Sequence, residues 1–131
     1  MLVDTQGLVI VVHVTAANIQ DHHQVYNLIA AGKRLSTRLK KVWVDEGYQS
    51  KDAAQRVGTD LAIDLEIVPK PTGQKGFVVV PRRWVVERTF AWLGRYRRLS
   101  KDYEYYVETS QEMIYLAMSH LMLRRLASGM V

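Results

Sequence analysis

The chain has 131 residues, 48% of them apolar, which is material for one hydrophobic core and one modest domain. Its 18 Lys and Arg outweigh 13 Asp and Glu, and the resulting net charge of +5 and pI near 9.6 favour a polyanionic partner. The absence of cysteine excludes a disulfide framework and a thiolate metal site. No apolar run is long enough to span a bilayer, and Met1 leads into LVDTQGLVIVVHV without a basic leader, so a soluble cytoplasmic protein with no membrane partner is the expectation.

In chain order, LVDTQGLVIVVHV reads as two β-rich runs joined by a turn from Asp4 to Gly7, the pattern of a hairpin, with the second run apolar enough for burial on both faces. NIQDHHQVYNLIAAGKRL places Val25, Leu28, Ile29 and Leu35 at helical spacing, with Asp21 as N-cap and Gly32 as terminator. KKVWVDEGY is a short strand ending at Asp45 and broken by Gly47. A helix is expected from Ser50 to about Val57, and LAIDLEIV alternates as a strand until Pro69 and Pro71 stop it. PTGQKGF is a loop. The C-terminal half reads as helical, from Arg83 to about Leu99 and from Thr109 to about Ala127, the second helix opening on a Thr109/Glu112 capping box and apolar nearly all round. That last helix is expected to be buried, with Met118, Met122 and His120 as packing residues. The order β, β, α, β, α, β, then helices, predicts an α/β layered domain with part of its sheet parallel.

Basic residues crowd two segments: Lys33, Arg34, Arg38, Lys40 and Lys41 in one, and Arg82, Arg83, Arg88, Arg95, Arg97 and Arg98 in the other. Stepping 100° per residue through the second segment puts Val85, Val86, Phe90, Trp92, Leu93, Tyr96 and Leu99 on a core arc. Glu87 falls on the opposite arc with Arg83, Ala91, Gly94 and Arg98. A Gly inside a helix costs about 1 kcal/mol relative to Ala, so Gly94 suggests close approach of a ligand. The competing reading of Glu87 is an i, i+4 pair with Arg83 worth a few tenths of a kcal/mol. Asp45, at the carboxyl end of an apolar strand, lies where open α/β sheets place their sites. A strand-end carboxylate and a helix carboxylate suit Mg²⁺, which takes one or two carboxylates plus phosphate oxygens.

The blocks VHVTAANIQDHH, VWVDEGYQSKD and RRWVVERTFAWLGRYRRLSKDYE resemble successive blocks of bacterial insertion-sequence transposases with a DDE catalytic domain, from about Leu2 to Arg125. The resemblance implies an α/β, RNase H-like mixed sheet with flanking helices and a helical C-terminal half. It implies two aspartates and a glutamate that bind Mg²⁺ or Mn²⁺ and catalyse cleavage and transfer of DNA strands at transposon ends. By motif, Asp45 corresponds to the second aspartate and Glu87 to the glutamate, both as catalytic residues and metal ligands. Arg83 also matches the signature around the glutamate, whereas Val80 stands in its tyrosine position and Gly94 in its lysine position. Arg83, Arg88, Arg95, Arg97, Arg98 and Trp84 are the expected DNA contacts.

The family's first aspartate lies on a strand before the hairpin, and the present sequence begins inside that hairpin. The expectation is therefore a single partial domain over residues 1–131, truncated before its first strand or supplied by a second reading frame, and inactive alone. Asp4, in the hairpin turn, is poorly placed to substitute. Loss of a central strand leaves edges unpaired, which predicts self-association, as a homo-oligomer, or a need for an N-terminal transposase fragment. Two other readings are a non-catalytic basic DNA-binding module that regulates a full-length transposase, and a metal site of His13, Asp21, His22 and His23 in an unrelated hydrolase.

Overall fold

The computed structural model describes residues 1–19, 24–48, 51–69, 73, 76 and 82–129. The hairpin is present: β1 (Leu2–Val3) pairs antiparallel with β2 (Val9–Val11), with Leu2 opposite Val11. Asp4 shapes its turn, because Oδ1 accepts the N–H groups of Gln6 and Leu8, both at 2.9 Å. Gly7 sits at φ +84°, and a Cβ there would lie 2.8 Å from Thr89 Oγ1, so both conformation and space require glycine.

Next come α1 (Val25–Leu35), β3 (Lys41–Asp45), α2 (Lys51–Leu61) and β4 (Asp64–Val68). β3 and β4 pair in parallel from Lys41 opposite Asp64 to Asp45 opposite Val68, with α2 supplying the crossover that parallel strands need. The chain is thus α/β with both antiparallel and parallel pairing. In place of one continuous sheet, the described residues form two two-stranded sheets. Side-chain packing is continuous where backbone pairing is not, because Leu2 and Val11 of the hairpin share one core with Val25, Ile29 and Ala31 of α1, Val42 of β3, Val57 and Ile63.

Several local expectations change. Gly32 does not end α1: it is buried inside the helix, where an added Cβ would collide with Leu2 Cδ2. Asp21, the expected N-cap, lies outside the described residues, as does most of the PTGQKGF loop. β2 is only three residues long, with Val9 and Ile10 half-buried and Val11 buried, so burial on both faces is not general. The helix expected to end near Val57 continues to Leu61, since Val57 itself is fully buried and anchors its middle.

α3 (Arg83–Leu93) stops at Gly94, whose N–H donates to the Phe90 carbonyl at 2.8 Å; a 3₁₀ turn follows at Arg97–Leu99. Gly94 is therefore a C-cap at φ −63°, not an interior glycine. On the predicted core arc Val85 and Leu93 are buried, whereas Phe90 is 59% exposed, and Thr89, absent from that arc, is fully buried. α4 (Val107–Ala127) begins before Thr109, with Tyr106 as N-cap, so the capping box is not used. Only Ala117 and Met118 of α4 are buried, while Leu116, Leu123 and Leu126 are exposed. Met118 packs with Leu93 as expected of a core methionine, with Met122 half-buried beside it. His120 is exposed and hydrogen-bonded to the Tyr96 hydroxyl at 2.9 Å.

Both C-terminal helices are tied to the hairpin. Thr89 Oγ1 donates to the Gly7 carbonyl at 2.6 Å, and Arg88 Nη2 donates to the Gln6 carbonyl at 2.6 Å. From α4, Tyr115 Oη accepts the Val12 N–H and Gln111 Oε1 accepts the Val14 N–H, both at 2.9 Å. Side chains thus satisfy backbone donors just beyond β2 that would otherwise form an open edge.

Candidate active site

A cavity of about 580 Å³ opens between the hairpin and β3. Leu2, Val12, Val25, Ile29, Val42 and Val44 give it an apolar floor, and Arg82, Arg83, Val86, Glu87 and Phe90 of the α3 side close over it. Asp45 and Glu87, 42 positions apart in sequence, both line it.

Each carboxylate is placed by its own element. Asp45 ends β3 and opens a 3₁₀ turn over Glu46–Tyr48, where its Oδ1 accepts the Gly47 N–H at 3.1 Å. That bond leaves Oδ2 available. Glu87 lies one turn into α3, more than half exposed, with Oε1 3.5 Å from Arg83 Nε. The pair is exposed and i, i+4, so it contributes only about 0.3–0.5 kcal/mol and yields readily to a cation or a phosphate. Arg82, the residue before α3, holds a left-handed φ of +71° and lays its guanidinium 4.3 Å from the Trp43 ring centroid. A non-glycine residue at such a φ is strained, and here the strain brings a cation to the cavity that holds Asp45.

Asp45 and Glu87 offer hard oxygen donors of the kind Mg²⁺ takes, with phosphate oxygens completing the shell. Among the described residues, no group of three His, Asp or Glu side chains could hold a metal ion. His13 lines the same cavity, but Asp21, His22 and His23 of the proposed hydrolase site lie outside the described residues. Asp4 is committed to the hairpin turn through Oδ1.

The expected DNA contacts divide. Arg95 and Arg97 are exposed and make no ion pair among the described residues. Arg98 is gripped by Glu104 through both Nε and Nη2, a fork that raises the arginine's pKa and holds the Glu104 carboxyl below its usual range. Arg88 is turned inward: its guanidinium lies 4.4 Å from the Trp84 ring centroid and 4.8 Å from that of Trp92, and it bonds the hairpin turn. Trp84 is 42% exposed, with Arg88 against its ring. Sequence reasoning missed Arg82 and Phe90 as cavity residues. Their places depend on the tertiary fold, in which Arg82 rests on Trp43 of β3, and no local pattern encodes that.

At the opposite end of β3, Lys41 Nζ lies 2.7 Å from Glu66 and 3.2 Å from Asp64, while Trp43 Nε1 donates to Glu66 at 3.2 Å. The bond to Glu66, then that to Asp64, raises the Lys41 pKa; the same Lys41 bond is the main cause holding Glu66 below its usual range. Lys33 Nζ bonds the carbonyls of Thr37 and Leu39. Two members of the first basic segment are thus structural.

With its strand-end and helix carboxylates lining one cavity, this small α/β unit belongs to the transposase DDE domain family, whose model matches residues 1–122. It is 34% identical over 112 residues to a protein of Burkholderia cepacia described as "Putative transposase for insertion sequence element IS402". That similarity covers 79% of this chain and 52% of the relative, so the chain spans about half the length of the curated relative it matches. No solved structure matches it. Among the described residues, no helix is long and apolar enough to cross a membrane.

Proposed function

We propose that this chain contributes Asp45 and Glu87 to the divalent-metal site of an RNase H-like DDE transposase that cleaves and transfers DNA strands at insertion-sequence ends. The observation that carries the reading is that these two carboxylates, with Arg82 and Arg83, line one cavity. Asp45 and Glu87 would hold Mg²⁺ or Mn²⁺, which would supply activation of the attacking oxygen and stabilisation of the leaving one. The protein's own part is positional. The Gly47 N–H fixes Asp45, Arg83 pairs with Glu87 and would exchange it for a DNA phosphate, and Val44 and Val86 line the cavity beside them.

The reading also holds that these two carboxylates are an incomplete set, since Asp4 does not line this cavity and the described residues hold no group of three His, Asp or Glu side chains that could bind a metal. A third acid from outside the described residues would complete it. The test is strand nicking of duplex DNA in Mg²⁺, by this chain alone and by a longer transposase containing it. The expected result is no nicking by the chain alone, and nicking by the longer protein that Asp45→Asn or Glu87→Gln abolishes. Nicking by the chain alone that Glu87→Gln removes would overturn the incomplete set, and activity of the longer protein that survives Glu87→Gln would overturn the site.

A further inference from the structure

A second cleft, of about 360 Å³, lies between the end of α3 and the last turns of α4 and is lined by Trp92, Arg95, Tyr96, Leu121, Arg124, Arg125 and Ser128. Three of its seven lining residues are arginines and none is acidic. None of the three makes an ion pair among the described residues, whereas Arg83 and Arg98 both do. The C-terminal end of α4 accommodates Arg124 and Arg125 through the helix dipole, but Arg95 comes from another segment and gains nothing from that dipole. Three guanidiniums gathered in a concave site without a counter-charge repel one another unless an anion joins them.

We propose that this cleft binds a backbone phosphate of duplex DNA, as a contact separate from the carboxylate cavity. The proposal rests on the DNA-processing reading above. A phosphate is favoured over a base because the flat ring that could stack on a base is already occupied: Arg125 lies 4.3 Å and Arg88 4.8 Å from the Trp92 ring centroid. Contact with the Trp92 ring restrains the Arg125 guanidinium, whose N–H groups can then meet phosphate oxygens. Such a contact positions the duplex without reading sequence. α3 borders both clefts, so one helix would couple the anchored backbone to the cavity that holds Glu87.

The test is the affinity of the chain for a random-sequence 20-base-pair duplex, followed by fluorescence anisotropy across a series of salt concentrations. The main variant is Arg95→Ala/Arg124→Ala, because both side chains are exposed and make no ion pair among the described residues. Each phosphate contact contributes about 0.9 to the slope of log K against log salt. The expected result is a fall in slope of about one unit with an unchanged melting temperature, equal for unrelated duplex sequences, and a slope kept by Arg95→Lys/Arg124→Lys. If the parent chain binds duplex steeply with salt and the alanine variant matches it, the cleft is overturned and the DNA reading stands. If the parent chain shows no salt-dependent binding to duplex or to single strand, both fall. Loss confined to single-stranded DNA overturns the duplex assignment.

Discussion

Replacing Thr89 with valine tests the joint that orients Glu87. Thr89 is fully buried, and its hydroxyl is the buried one of two side-chain links from α3 to the hairpin, donating to the Gly7 carbonyl at 2.6 Å. The Val85 carbonyl, 3.0 Å from the same hydroxyl, keeps its helical N–H partner after the change, so only the Gly7 carbonyl loses a donor. Valine has nearly the same shape and a similar helix propensity. The cost is therefore that of one buried acceptor left without a partner, about 1–3 kcal/mol. With a urea m-value of about 2 kcal/mol/M, the midpoint of unfolding should fall by roughly 0.5–1.5 M with m unchanged. Because the lost bond also fixes the roll of α3, activity of a longer transposase carrying the change should fall while its melting curve stays cooperative. A midpoint within about 0.2 M of the parent would mean that packing of Val85, Leu93 and Met118, not this bond, sets the position of α3, and would refute the reasoning.

Gly32→Ala should destabilise by about 1 kcal/mol or more despite alanine's better helix propensity, because overpacking against Leu2 exceeds the propensity gain; a rise in the urea midpoint would refute the contact. Gly94→Ala should leave stability within about 0.5 kcal/mol, since φ is −63° and the new Cβ meets the Phe90 carbonyl oxygen at an ordinary 3.4 Å. Tyr115→Phe should cost about 1–2 kcal/mol by stripping the Val12 N–H of its acceptor, read by faster hydrogen exchange at Val12. The Lys41 and Glu66 pair gives a pH signature when the parent chain is compared with Lys41→Met. Glu66 is depressed, so its contribution is present above its ordinary 4.5 and is lost as pH falls through the lower folded value. Lys41 is raised, so its contribution is present below 10.5 and is lost as pH rises through the higher folded value. The stability difference should be flat between those limits and shrink outside them, and a difference that persists at both extremes would refute the assignment.

The elements that could be read from sequence were those whose cause is local. The β3 and β4 strands came from apolar alternation ended by Gly47 and Pro69, and the hairpin from a turn that Asp4 and Gly7 shape by themselves. Gly32 could not be read, because its reason is Leu2, thirty residues away. α4 shows the limit of apolar content as a guide to burial. Its leucines predict a buried helix, but burial depends on how much facing surface exists, and in the described residues only the side carrying Ala117 and Met118 has it. The single sheet is replaced by two pairs among the described residues for a similar reason: pattern identifies strands, while pairing is set by the tertiary fold.

For the candidate site the same division separates carboxylates from arginines. The strand end at Asp45 and the helix that carries Glu87 could be read because both are local facts, whereas their lining of one cavity is a property of the fold. The arginines were not, since a guanidinium on a long stem goes wherever a ring, carbonyl or carboxylate awaits it. In RRWVVERTFAWLGRYRRL, Arg82 rests on Trp43, Arg83 meets Glu87, Arg88 bonds the hairpin turn and Arg98 is forked on Glu104, so most of that apparent DNA-binding stripe is engaged with the protein itself. Arg95 and Arg97 remain free among the described residues, and Arg124 and Arg125 join Arg95 from a helix whose basic residues raise no suspicion in sequence. An alanine scan of the basic segment would therefore mix two effects. Arg88→Ala should lower stability and DNA affinity together, whereas Arg95→Ala should lower affinity alone, and only the second kind of variant measures contact with DNA.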